Sequence, residues 1–541
     1  MLSASRRVLL VIAAVSLVAG GCKSKGKDTG GSSSPAPTTT GKALASGLTT
    51  DLRVSPDGAV AAYLLDAKRP MVDGTAPQVQ LGELRMARVD GTLERKAGDR
   101  VINTPGGYLF SPDSRWLLFL QGYNPADHYG QLVVQDTRAP SGGARALGQD
   151  VSYFVVSPDS KWVAYVESGT LRVSALDTEA AAVDVAGEVK TAEFAQDSRA
   201  LLVKRSVAAA AALLLVPVGN WSKQVKLGED VGDYTVASDG AAVAFTMRSP
   251  DSPSSFDLFH AALPSGKVKK VATAVTTGAS HAGPTFAFSP DGRWLGRIES
   301  GRSDKRGTLV VGPSSGAAGA KVAEQVYRFE FAADSTAVAY LDKYADNSGP
   351  GAGHGNVGVA TAPEWKPKKL GTRVPNFNWG ADGKHLAFIS RFFQPLYSVD
   401  LMLYAVGEEA ARKIQTGVFG YEFSSQNKYL LLRTACVRDG RACELHALEL
   451  GKPDAKPQKL LEGVYSFRTA PQDPQRVLAT YARLDTPHYD AMAFNLGNQQ
   501  YRTLDRNIQL PALFAAPDGS KVVYVVAEKG RAGVYVSDAM P

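Results

Sequence analysis

The chain is poor in the residues that build metal and redox chemistry. Its 541 residues include 3 cysteines and 7 histidines. No His-x-His or Glu-x-x-His spacing occurs, so no local metal-ligand pattern is present. Neither an EF-hand loop nor a phosphate-binding loop occurs. Lysine and arginine never gather into a block, so the net charge of +7 is weak evidence for nucleic acid, and no such partner is expected. Beyond residue 41 no apolar run approaches the roughly 20 residues that span a membrane. Gly312-Pro313-Ser314-Ser315-Gly316 matches a hydrolase signature letter for letter. It sits in a polar turn rather than a strand-to-helix elbow, so no nucleophile is assigned. No catalytic residue, cofactor or resident metal is expected.

What is present is ordinary globular material. The composition is 44% hydrophobic, 21% charged and 9% aromatic, which excludes a disordered, collagenous or coiled-coil chain. With 53 glycines and 30 prolines, the chain is turn-rich and favours many short strands.

The first residues read as an address. Arg6 and Arg7 precede the apolar run Val8–Val18, then Ala19, Gly20, Gly21 and Cys22. This is the order of a secretory signal, and the apolar run is too short to span a bilayer. Cys22 after small residues resembles a bacterial lipobox, which implies cleavage of residues 1–21 and acylation of Cys22, a firm anchor. Ser5-Arg6-Arg7-Val8-Leu9-Leu10 also resembles a twin-arginine signal, so two export routes stay open. Lys23 after Cys22 leans, by analogy with enteric sorting, to the outer membrane. Residues 22–41 are rich in Gly, Ser, Pro, Thr and Lys and read as a flexible tether.

The rest is one repeat. Val54-Ser55-Pro56-Asp57-Gly58 recurs at Phe110–Ser114, Val156–Ser160, Phe288–Gly292 and, nearly, Ala515–Gly519. Weaker copies centre on Asp197, Asp239, Asp334 and Asp382, and degenerate ones on Gln426 and Gln472–Asp473. That makes eleven units of about 46 residues, the period of a four-stranded propeller blade. An aromatic recurs five residues before the turn acid, as in Tyr108, Phe154, Phe286, Phe329 and Phe377. Pro presets φ, Asp accepts amide bonds and Gly tolerates positive φ, so these aspartates read as turn residues, not catalysts.

The repeats resemble the TolB-type, WD-repeat-like propeller family. The resemblance covers residues 42–541 and implies an all-β fold of radial four-stranded blades, A to D from axis to rim. TolB-type proteins carry an α/β domain before the propeller. Only the tether precedes the repeats here, so a Tol-system role does not follow. Eleven blades exceed the four to eight of usual single rings. The expectation is two propellers in tandem, residues 42–270 and 271–541, with one large ring as the alternative. The last unit shows only three strands, ending Gly533–Ser537, and Lys42–Ala45 is the candidate fourth strand.

Function is expected on the face carrying the long B–C loops. The candidate interaction residues are Tyr123, His128, Tyr129, Tyr344, His354, Arg391, Phe392, Phe393, Tyr397, Arg483, His488 and Tyr489. Exposed aromatics and arginines are the material of protein interfaces. Cys436 and Cys443 flank a turn containing Asp439-Gly440, and in an exported protein they are expected to form a disulfide. The leading expectation is a non-enzymatic scaffold, held to the membrane by its lipid alone, that binds a cell-envelope protein. The second is a glycan binder or metal-dependent sugar lyase using the axial mouth, because some TolB-like lyases place a His-held metal there; His281 and His354 would serve it.

Overall fold

The computed structural model describes residues 41–539 apart from 71–78, 140, 208–209, 276–282, 300–305, 317, 346–352, 394–397, 438–439, 453 and 483–488. The signal segment, Cys22 and the tether lie outside the described residues. Among the described residues all regular structure is strand except one short 3-10 turn at Ser425–Asn427, and no helix there is long and apolar enough to cross a membrane.

Among the described residues, forty strands fill forty-four positions in eleven antiparallel blades. Four long strands, Ala144–Val156, Ala320–Phe331, Gln458–Thr469 and Tyr501–Ala515, serve as the outer strand of one blade and the inner strand of the next. Blade 1 shows the pattern: A is Thr49–Val54, B is Val60–Lys68, C is Leu81–Arg88 and D is Glu94–Ile102. In blades 1 to 11 the A–B turns are residues 55–59, 111–115, 157–161, 195–199, 237–241, 289–293, 332–336, 380–384, 424–428, 470–475 and 516–520.

The Ser-Pro-Asp motif works twice in the turns of blades 1, 2, 3 and 6. Inside the blade, Ser55 Oγ donates to Asp57 Oδ1 at 2.6 Å and accepts the Val60 amide at 2.9 Å, while Asp57 Oδ1 accepts the Ala59 amide at 3.0 Å. Between blades, the Asp57 amide donates to Ser114 Oγ, Asp113 to Ser160, Asp159 to Ser198 and Asp291 to Ser335, at 2.9–3.0 Å. The residue after the Asp has left-handed φ throughout, for example 65° at Ser114 and 76° at Gly58. Serine accepts that conformation where its hydroxyl reaches the preceding blade. At Gly292 a Cβ would lie 2.6 Å from the Asp239 carboxylate, so glycine is required there.

Each junction has its own apolar cluster, and several pair a small D-strand residue with a large B-strand residue of the next blade. Gly148 lies against Tyr165, Gly228 against Phe245 and Gly371 against Phe388. Junction 9–10 reverses the sizes: Leu461 faces Ala479 within one cluster. This complementary filling fixes the wedge angle between blades, since interiors leave few voids.

Ten of these clusters join consecutive blades and the eleventh joins the last to the first. Leu52, Ala61 and Tyr63 of blade 1 pack with Val523, Val525 and Val534 of blade 11. The fourth strand of blade 11 is Lys42–Ser46, antiparallel to Gly533–Asp538, as the sequence suggested. A hydrogen-bonded chain secures it. The Gly41 amide donates to the Tyr524 hydroxyl at 3.1 Å, which donates to Asp505 at 3.0 Å, and Arg531 clamps both Asp505 oxygens at 2.9 Å.

Of the two arrangements weighed, the chain forms the single ring, not two propellers. Residue 270 lies inside the D strand Lys267–Val275 of blade 5, not at a boundary. Blade 5 packs on blade 6 through Ala244, Leu258, Phe286, Phe288 and Leu295 rather than turning back onto blade 1. In the long Asp239–Asp291 interval, residues 276–282 lie outside the described residues, and Val275 pairs directly with Glu299 of blade 6. Eleven blades close a circle when each turns by about 33° rather than the 51° or so of a seven-bladed ring.

Candidate functional site

The A–B and C–D turns lie on one face of the ring, and the B–C loops and D–A crossings on the other. The crossings are sharpened by single residues with left-handed φ of 46–57°, among them Arg100, Asp150, Gln325 and Asn507. They bring the start of each inner strand beside the preceding blade's B–C loop.

Two crossings carry paired tyrosines, one pair stacked and the other tilted by 38°. At blades 6 and 7, Tyr327 and Tyr344 stack with centroids 4.3 Å apart and planes 12° apart. Arg306, from the B–C side of blade 6, donates to the Tyr344 carbonyl at 2.5 Å. At blades 9 and 10, Tyr465 and Tyr489 lie 4.6 Å apart. Arg433 of blade 9 donates Nη1 to the Tyr465 carbonyl and stands 5.6 Å from the Phe419 ring. Burial lowers the Arg433 pKa, and among the described residues no carboxylate pairs with it. Burial and the neighbouring Tyr465 raise the Tyr489 pKa.

Cys436 and Cys443 are disulfide-bonded across the blade 9 B–C hairpin. Gly440 at its tip has φ +84°, and a Cβ there would lie 2.6 Å from Phe419. The hairpin is therefore seated on Phe419. Phe419 and Val437 are 41% and 57% exposed, two of seven large apolar side chains left open among the described residues.

The other predicted residues separate. Tyr123 is 8% exposed and belongs to the cluster between blades 2 and 3, so it is a core residue rather than a contact residue. The reason is a bulge between Gln121 and Asn124 that turns its ring inward. His128 is exposed with φ 62° at a hairpin tip, and Tyr129 is half-buried beside it. His354 opens a C strand and is half-buried. Arg391, Phe392 and Phe393 end the B strand His385–Phe393, their side chains lying outside the described residues with Tyr397, Arg483 and His488. His281 lies outside them too. Among the described residues no group of three His, Cys, Asp or Glu side chains converges on one point. Several basic residues of this face are structural: Lys204 donates to the Gly232 carbonyl, and Arg531 holds Asp505.

The inner strands add features that sequence reading missed. Glu193 and Glu422, each four residues before the turn position in blades 4 and 9, are exposed on inner strands. Desolvation by the surrounding blades raises both carboxyl pKa values. Their water access makes this a modest effect. Arg328 and Glu330 of blade 7 pair at 2.7 Å in the same layer, and the blade 8 Asn378 amide donates to the Tyr421 hydroxyl at 3.1 Å. Their signal was the alternation on strand A, polar at positions four and six before the turn acid. Tyr327 and Tyr465 stood one or two residues further back and were hidden by reading only the aromatic five before it.

The chain defines a β-propeller by its own strands. No family model matches it, and no curated protein matches it. Solved structures that resemble it include a eukaryotic initiation factor (14% identity, TM-score 0.42, covering 70% of this chain and 93% of that one). An oligogalacturonate lyase in complex with manganese gives 11% identity and TM-score 0.31, over 63% and 96%. The tricorn protease gives 9% and 0.29, over 91% and 61%. These are likenesses of propeller architecture alone.

Proposed function

We propose that this propeller is a non-enzymatic scaffold of the cell envelope, lipid-anchored through Cys22, that binds another protein with its loop-bearing face. The observation that carries the reading is the two tyrosine pairs at junctions 6–7 and 9–10, each served by an arginine of the preceding blade. Rigid aromatics with arginine are where interface energy concentrates. The TolB-like repeats and the lipobox-like Cys22 supply the expected address. Crosslinking the full-length protein in native membranes, with mass spectrometry of the captured species, tests it. A stoichiometric envelope protein is expected, lost when Tyr344→Ala and Tyr489→Ala are combined. Undiminished capture by that variant would remove the tyrosine pairs from the interface. Cys22→Ser is expected to release the protein from membranes.

A further inference from the structure

In two blades an arginine of the inner strand is held between a carboxylate and an aromatic ring of the next blade. In blade 1, Arg53 pairs with Asp51 at 2.7 Å, and its guanidinium lies 3.9 Å from the Tyr108 ring of blade 2. In blade 7, Arg328 pairs with Glu330 at 2.7 Å and lies 4.7 Å from the Phe377 ring of blade 8. The acid and the arginine stand six and four residues before their own turn acid, and the ring five before the next one. The carboxylate takes the charged edge and the ring takes the face. Both rings are fully buried.

Blade 4 has two of these three parts. Glu193 stands four residues before the turn acid, as Glu330 does in blade 7, and Thr191 stands six before it, where blade 7 has Arg328. Tyr234 of blade 5 is the matching ring, and its hydroxyl faces Thr191 and Glu193. This ring is half-buried rather than buried. From blade 3, Tyr153 is 37% exposed and donates its hydroxyl to the Ala192 carbonyl at 2.9 Å. With its proton engaged there, that oxygen is left to accept from a ligand. The acids at these two positions in other blades each have a cation beside them: Arg53 for Asp51, Lys204 for Asp233, Arg328 for Glu330 and Arg468 for Glu422. Among the described residues no cation acts on Glu193. It is exposed yet desolvated by the protein around it, as a group on a concave surface is.

We propose that Thr191, Glu193 and Tyr234 form a binding site for a guanidinium group. The carboxylate takes its N–H edge, the Tyr234 ring takes its face, and the small Thr191 leaves the room that Arg328 occupies in blade 7. An arginine side chain of another polypeptide and free arginine both offer this group. An ammonium group has neither the planar face nor the forked edge. The site uses inner strands and neither tyrosine pair of the loop-bearing face, so it does not rest on the scaffold reading.

The test is a saturation-transfer NMR titration of the full chain with four probes: N-acetyl-arginine methylamide, its citrulline and lysine counterparts, and free arginine. Citrulline keeps the shape and removes the charge. The arginine amide should bind, the citrulline amide about tenfold more weakly and the lysine amide about fivefold more weakly. Tighter binding of the arginine amide than of free arginine identifies a polypeptide side chain as the ligand, and the reverse identifies the amino acid. Glu193→Gln should weaken the arginine amide about tenfold and Tyr234→Leu about fivefold. Thr191→Arg should abolish binding, because its own guanidinium would take the place that Arg328 takes in blade 7, and it should melt no lower than wild type. Glu324→Gln, on the outer strand of blade 6, should change nothing. Glu193 is exposed, so Glu193→Gln keeps the test independent of folding. No binding of the arginine amide, equal binding of the citrulline or lysine amide, or undiminished binding by Glu193→Gln or by Thr191→Arg would overturn the proposal. Capture of a membrane partner by the loop-bearing face is a separate readout, so the scaffold reading stands or falls on its own test.

Discussion

Substituting Gly148 by alanine tests how the ring sets its own curvature. Gly148 is the small residue of junction 2–3. A Cβ there would lie 2.7 Å from Tyr165 Cε2, 3.0 Å from Val151 Cγ2 and 3.1 Å from Glu167 Oε1. Carbon atoms prefer about 3.5–4.0 Å, so the ring must retreat by roughly 1 Å. It has nowhere to go: Tyr165 is fully buried and its hydroxyl is bonded to the Leu147 carbonyl at 2.9 Å. Overpacking of this kind costs about 1–3 kcal/mol. Removing a strand glycine returns about 0.5–1 kcal/mol. The expected net loss is therefore about 1–2 kcal/mol. Junction 3–4 supplies the compensating change, since Ala186 and Val203 share its cluster. Tyr165→Val alone should cost about 3 kcal/mol through its cavity, and the double variant should cost about 1 kcal/mol or more less than the two single losses added. Guanidinium unfolding followed by tryptophan fluorescence, with hydrogen exchange on blades 2 and 3 as a local check, measures this. Wild-type stability of Gly148→Ala, or strict additivity in the double variant, would refute the idea that size pairing sets the junctions.

Other outcomes follow from the turns, the crossings and the closure. Ser160→Ala strands the Asp113 amide and should destabilise by about 1–2 kcal/mol, whereas Ser160→Gly should cost less because it relieves the left-handed φ of 60°. Gln325→Gly, at a crossing residue with φ 55°, should raise the unfolding midpoint by about 1 kcal/mol equivalent, and a fall would show that its side chain is needed. Asp505→Ala removes the acceptor of both Tyr524 and Arg531; with Arg531 one-third exposed, a loss of about 2–3 kcal/mol is expected, with earlier proteolysis at residues 41–46. In acid, the turn carboxyls set the trend. Burial pushes Asp291 and Asp382 up, but hydrogen bonds from Ser289 and Arg293 and from His385 outweigh it and hold both below the usual carboxylate range. The Ser520 amide holds Asp518 down as well. Groups with lowered folded values stabilise above about pH 4 and lose that contribution as pH falls through them. Glu193 and Glu422, raised by burial, act oppositely, their folded state gaining slightly between neutral pH and about 4.5. Thermal melts from pH 7 to 3 should therefore be flat or rise a little before falling steeply below pH 4.

Much of the fold was legible because a blade is a local object. The turn motif states its own hydrogen bonds, so Asp57, Asp113, Asp159 and Asp291 behave as their spacing implied. The closing strand was readable from a shortage, since a unit with three strands needs a fourth. Ring number was not readable. It depends on how much Gly148, Gly228 or Leu461 lets neighbouring sheets tilt, and that is a property of pairs of residues some 17–18 positions apart. The site was read with mixed success for a similar reason. Cys436 and Cys443 are neighbours in sequence and paired as expected. Tyr344 and Tyr489 lie at strand ends bordering the B–C loops, but their partners Tyr327 and Tyr465 come from crossings that periodicity alone does not aim. Tyr123 was misassigned because a one-residue bulge reverses which way a side chain points.

The strand Lys42–Ser46 gives the molecule an order of assembly and a line of force. Every other strand pairs with a neighbour made shortly before or after it. This one pairs with Gly533–Asp538, so the earliest part of the body to be synthesised waits for the latest. Until then, blade 1 and blade 11 each present an open flank. Closure is thus a non-local, late and comparatively slow event, and a chain truncated anywhere before residue 533 remains an arc rather than a smaller ring. Once closed, any pull arriving through residue 41 runs along Lys42–Ser46 and shears all its inter-strand bonds together. The Tyr524–Asp505–Arg531 chain stands at the point where that load enters the body.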